Sequence, residues 1–171
     1  FQRSGGLVRL PNSGVEARRV AAFGAPATTL LRESASEAAI KRQIPRRISV
    51  LHLATHSLVD DRVLGRSAIA LAPGAGEDGF LTAAEASALP LDADLAVLSG
   101  CRTAGGVVLA GEGVQGLTGP FLEAGARAVI ATQWSIGDAQ SVPFVDRLYG
   151  YIARGADVSD ALQRTKIEAI R

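Results

Sequence analysis

Two apolar runs constrain this chain more than anything else in it. Leu95-Ala96-Val97-Leu98 and the segment Ile48 to Thr55 read as strands buried in the interior of a parallel sheet. The first run breaks at Ser99-Gly100 and leads directly to the chain's only cysteine, Cys101; the second ends on His56. Open α/β sheets hold their ligands beyond the carboxyl ends of the strands. A thiol and an imidazole at two such ends point to a cysteine–histidine nucleophilic site.

Around these runs, helical and strand patterns alternate. Glu16 to Phe23 reads as a helix with Ser13 as N-cap and Val15, Ala22 and Phe23 as packing residues, and Thr28 to Leu31 as a short strand. Ser36 caps a helix that Pro45 stops, and Ser67 to Leu71 is a strand ended by Pro73-Gly74. Thr82 and Glu85 have the spacing of a capping box. Glu112 to Ala124 is expected to be helical and stopped by Gly125, and Ala128 to Thr132 to be a buried strand. Asp138 to Ala153 and Ser159 to Ile170 complete the chain as helices. The expected architecture is α/β, a mostly parallel sheet covered by helices, in a single domain over residues 1–171.

Composition removes several classes of function. A formal net charge of +1, with no basic run longer than Arg46-Arg47, argues against nucleic acid as a partner. No stretch approaches the roughly 20 apolar residues of a membrane span, and no signal peptide is recognisable. One cysteine makes no internal disulfide, so a reducing, cytoplasmic compartment is expected. The chain begins with Phe1 and has no methionine, which leads us to expect a piece of a longer protein.

Each candidate residue has a plainer reading. Cys101 is either a small buried hydrophobe or a nucleophile; its place past a strand end, between Gly100 and Arg102, favours the second. A free thiol, with pKa about 8.5, is mostly protonated at neutral pH, so a nucleophile needs a neighbouring base. His52 and His56 lie four apart, but on a strand that spacing covers about 13 Å, too far for one metal ion to bridge. No metal is therefore expected; His52 reads as a core histidine and His56 as the general base. Gly111 to Gly116 matches the Gly-x-Gly-x-x-Gly pattern of dinucleotide sites. The acidic residue that should follow about 20 positions later is replaced by Gln133-Trp134, so a glycine loop entering a helix is preferred. Asp138 is either a first-turn carboxylate favoured by the helix dipole or a charge lining a substrate pocket.

Several segments in order resemble the CHAT domain, a bacterial branch of the caspase- and separase-like cysteine peptidases. They are Leu10-Pro11 with Glu16-Ala17, Leu51 to His56, Asp78-Gly79-Phe80-Leu81-Thr82, Leu95 to Cys101, Gly111 to Val114, Phe121 to Arg127, and Trp134 with Asp138. The resemblance implies a caspase-like three-layer α/β/α sandwich and hydrolysis of peptide bonds by a His56–Cys101 dyad, without a cofactor. It also implies an oxyanion hole made by the backbone N–H groups of Ser57 and Cys101. Arg102, Trp134 and Asp138 become candidate substrate-binding residues. A protein or peptide substrate is the expected partner, with a helical-repeat sensor region expected in the full-length chain. The family has glycine where this chain has Ser57, which keeps the N–H but reaches positive φ at greater cost. That departure motivates an alternative, a caspase-like interaction or regulatory module without turnover. The family's first strand would precede the Leu-Pro motif, and residues 1–10 are too irregular to supply it.

Overall fold

The computed structural model describes residues 7–45, 47–60, 63, 66–100, 107–109, 113–133 and 136–170. In chain order the elements are α1 (Ser13–Ala22), α2 (Glu37–Gln43), β1 (Arg47–Ala54), β2 (Ser57–Leu58), β3 (Ala68–Ala70), β4 (Phe80–Thr82), α3 (Ala83–Ser87), β5 (Asp92–Ser99), β6 (Val107–Leu109), β7 (Gly113–Gln115), α4 (Thr118–Glu123), β8 (Val129–Ala131), α5 (Asp138–Ala153) and α6 (Val158–Ile170). The chain divides into two compact units: residues 1–8 with 30–136, and residues 9–29 with 137–171.

The first unit is built on a parallel sheet in the order β1-β5-β8. Its middle strand buries five of eight residues, with Ala93 and the run Leu95 to Leu98 at most 3% exposed, as a strand covered on both faces requires. The sequence-based expectation of a buried parallel strand holds here. β1 runs beside it from Arg47↔Asp92 to Ala54↔Ser99, and β8 joins on the other side from Ala96↔Val129 to Leu98↔Ala131. A second, antiparallel sheet has the order β2-β3-β4, and β6 pairs with β7 as an antiparallel ribbon. Phe121, Leu117, Leu81, Leu98 and Ile69 fill the core, each at 2% exposure or less. Burying a side chain of this size stabilises the fold by about 1.5–3 kcal/mol.

Among the described residues, two glycines leave no room for a side chain. Gly79, at φ +90°, lies where an added Cβ would come within 2.8 Å of the Leu71 carbonyl oxygen. Gly125, at φ +114°, ends α4 and lies so close to the Leu91 carbonyl oxygen that a Cβ would stand 2.0 Å from it. The expected stop after α4 is therefore present. The capping box is present too: Thr82 Oγ1 accepts from the Glu85 N–H, and the Glu85 carboxylate accepts from the Thr82 N–H at 2.9 Å.

The second unit comprises α1, α5 and α6. Glu16, 2% exposed, is the buried residue of α1 and accepts a hydrogen bond from the Ser141 hydroxyl of α5. Of the expected packing residues, Phe23 does stack its ring on the buried Tyr149 at 6.2 Å, whereas Ala22 is exposed and Val15 is 39% exposed. Burial, with the Glu16 charge nearby, raises the Tyr149 hydroxyl's pKa. Among the described residues no helix is long and apolar enough to cross a membrane.

Three other expectations change. Thr28 to Leu31 is not a strand; Thr28 and Thr29 are exposed, and β-propensity without a partner strand does not make one. α4 begins at Thr118, not Glu112, because Gly113–Gln115 is paired to Val107–Leu109. The same pairing overturns the preferred glycine loop entering a helix, since Gly113–Gln115 is a strand, and it equally removes the helix that a dinucleotide site would need there.

Candidate functional site

The site is assembled at the carboxyl edge of the parallel sheet. β1 and β5 stay in register to their ends, and the Thr55 N–H beyond β1 donates to the Ser99 carbonyl at 3.2 Å. The Thr55 hydroxyl donates to the Ala70 carbonyl at 2.6 Å, and the Ala70 N–H donates to the His56 carbonyl at 2.9 Å. His56 is thus fixed at its backbone between the two sheets of the first unit.

The imidazole is half-buried, and its Nε2 meets the carbonyl oxygen of Val8. With Nε2–H donating to that carbonyl, a neutral ring carries its lone pair on Nδ1, the form a general base needs. Sequence reasoning missed Val8, because a backbone carbonyl leaves no side-chain signature.

Ser57 opens β2, opposite Ile69. The Ala70–His56 hydrogen bond makes the neighbouring positions a bonded pair, so the alternation of an antiparallel ladder turns the Ser57 N–H away from β3. Ser57 is extended, and the positive-φ non-glycine residues described are Arg32 and Ala75. The glycine-like conformation that the family's residue could adopt is not taken up here.

On the other side of β5, the Thr132 hydroxyl, just beyond β8, donates to the carbonyl of Gly100. Sequence reasoning read Thr132 as the last residue of a strand. The signal for another role was a lone hydroxyl ending an apolar run. Cys101, Arg102 and Trp134 lie outside the described residues.

Asp138 is the first residue of α5. One carboxylate oxygen accepts from both the backbone N–H and the side-chain amide of Asn12, at 2.8 and 2.9 Å. Asn12 is the residue before α1, so the carboxylate sits at that helix's positive end as well as in the first turn of its own. Any substrate-side role for Asp138 would share this carboxylate.

A group of acidic residues elsewhere in the first unit deserves comparison with a metal site. Carboxylate oxygens of Glu37, Glu77 and Glu85 lie within 4.8 Å of one another. The Lys41 ammonium stands among them, at 2.6 Å from Glu37 and 2.8 Å from each of the others. It supplies the positive charge that such a group needs. These contacts, with Glu37 foremost, raise the lysine pKa. Lys41, then the Thr82 hydroxyl and N–H, draw Glu85 down to about 2. Glu37, 1% exposed, also accepts from the Gly79 N–H at 2.8 Å, so the cluster holds the loop that contains the Asp78-Gly79 turn.

Tetratricopeptide repeat protein 28 of Mus musculus is 39% identical over 83 residues, which is 48% of this chain and 3% of that protein. The chain therefore spans a small fraction of the curated relative it matches. The family model of the CHAT domain matches residues 2–171, and the chain belongs to the CHAT domain family, a group related to the caspase-like cysteine peptidases.

Proposed function

We propose that this chain is a cysteine endopeptidase domain with a His56–Cys101 dyad. The observation that carries the reading is the register of β1 on β5. Its 45-residue offset pairs Ala54 with Ser99, and the same offset separates His56 from Cys101 in the sequence.

In this reading, Nδ1 of His56 takes the proton from the Cys101 thiol, with Val8 holding the ring through Nε2. The thiolate attacks the scissile carbonyl carbon, and the π electrons move onto oxygen. The N–H groups of Cys101 and Ser57 receive that oxyanion. Its collapse breaks the C–N bond, and the amine leaves with the proton from His56. Water, losing a proton to the same nitrogen, then attacks the thioester; the acid is released and the thiol restored. No step requires a metal or cofactor. Arg102, Trp134 and Asp138 are proposed to contact the substrate, a protein or peptide. The finer architecture we infer is the caspase-like α/β/α sandwich, acting in a reducing compartment within a longer protein that carries a helical-repeat sensor. The relationship to a tetratricopeptide repeat protein supports that last inference.

The extended conformation of Ser57 favours a second reading, a CHAT module that binds partners without turnover. Cleavage-site profiling on a peptide library, run beside Cys101→Ala, separates the two. The peptidase reading expects a defined cleavage motif lost in the variant. No cleavage of any library member, with Cys101 alkylated no faster than a simple thiol, would favour the module.

A further inference from the structure

We infer that Thr132 is a positioning residue for the oxyanion hole, acting through the Gly100–Cys101 peptide group. The inference rests on the peptidase reading and extends it to a residue with no assigned role.

The hydroxyl of Thr132 donates to the Gly100 carbonyl, and this contact lies beyond the last ladder pairs of β5 and β8. A trans peptide is planar, with its C=O and the following N–H pointing in opposite directions. In the proposed scheme, a held Gly100 carbonyl would in turn hold the N–H that follows it across a trans peptide, the proposed donor to the oxyanion. A strand-end carbonyl without such a donor can rotate with ψ of its residue, and glycine resists that rotation least. β8 carries the anchor: Val129–Ala131 is hydrogen-bonded to the buried central strand, so the hydroxyl is presented from a rigid element. Thr132 does not touch the substrate in this scheme.

The test uses the full chain, a fluorogenic peptide chosen by library profiling, the aldehyde of that peptide, and iodoacetamide. The aldehyde adds the Cys101 sulfur to its carbonyl carbon and creates an oxyanion. Iodoacetamide alkylates the same sulfur, expelling iodide, and creates none. Thr132→Val should lower kcat at least about tenfold with KM nearly unchanged. It should weaken the aldehyde by a similar factor and leave the iodoacetamide rate within about twofold of wild type. Thr132→Ser, which keeps the hydroxyl, should recover most of the loss. Thr132→Ala replaces the valine variant if that one does not fold.

Wild-type kcat and aldehyde affinity in the hydroxyl-free variant overturn the inference and leave the peptidase reading standing. So does a parallel fall in turnover, aldehyde binding and alkylation together with Tm, which is the mark of general loosening. A wild-type chain that cleaves nothing and alkylates like a simple thiol overturns the peptidase reading, and this inference with it.

Discussion

The backbone N–H of Thr55 donates to the carbonyl of Ser99 at 3.2 Å, so the parallel pairing of β1 with β5 continues past the last residue of β1. The residues that follow, His56 and Gly100, leave the sheet from neighbouring strands at the same edge. Chemistry placed there inherits the rigidity of a buried central strand, whereas a site on loops alone would have to supply its own.

Removing either member of the dyad separates attack from activation. Cys101→Ala should abolish peptide cleavage. His56→Ala should slow it by about 10²–10⁴-fold and slow iodoacetamide alkylation as well, because both require the thiolate. Stopped-flow alkylation beside a fluorogenic cleavage assay checks this. Normal cleavage by the alanine variant of His56 would remove it as the base.

Gly79→Ala should destabilise the chain by about 2 kcal/mol or more, because the new Cβ meets the Leu71 carbonyl and the φ of +90° is unfavourable. Urea unfolding of the two proteins gives the difference directly.

Lys41→Met should cost about 3 kcal/mol or more, since it leaves the buried Glu37 carboxylate without its cation. The double variant Lys41→Met with Glu37→Gln should recover part of that loss. Additive losses in a double-mutant cycle would contradict the pairing.

Acid should weaken the fold through Glu85. Its pKa falls from the ordinary value of 4.5 to about 2 on folding, so its contribution is complete above 4.5 and lost as pH drops towards 2. Glu85→Gln should flatten the pH dependence of urea midpoints across that window, relative to the parent chain. An unchanged slope would show that other carboxylates govern it.

Asp138→Ala should remove both hydrogen bonds to Asn12 and destabilise the α1–α5 pair by about 1–3 kcal/mol. Hydrogen exchange in α1 should rise. A variant that keeps native exchange there yet loses peptide binding would assign Asp138 to the substrate.

The sequence was most legible where a single physical requirement dominates. The run Leu95 to Leu98 reads as an interior strand, and β5 is that strand; Ile48 to Thr55 reads the same way, but β1 lies at the end of the sheet order and buries only Leu51 and Leu53. Thr82 with Glu85 and Gly125 mark their own helix ends. It was least legible where polar groups are buried. Glu16 is hidden in α1 while the apolar Val15 beside it and Ala22 are exposed, because a carboxylate can enter an interior when a hydroxyl such as that of Ser141 meets it. No periodicity announces such a partner. The hairpin of β6 and β7 escaped for a related reason, since glycine-rich residues carry weak local preference and long-range pairing decides their state.

Local sequence therefore determined the central strand, the long helices and the ends that Thr82 and Gly125 mark, and it put a thiol and an imidazole just beyond two apolar runs. The tertiary fold decided what fixes them. A carbonyl at Val8 orients His56, a hydroxyl at Thr132 holds Gly100, and an amide at Asn12 engages Asp138. Each contact joins groups distant in the chain, two of them through backbone carbonyls that every residue possesses. Only their arrangement in space distinguishes those carbonyls from any others.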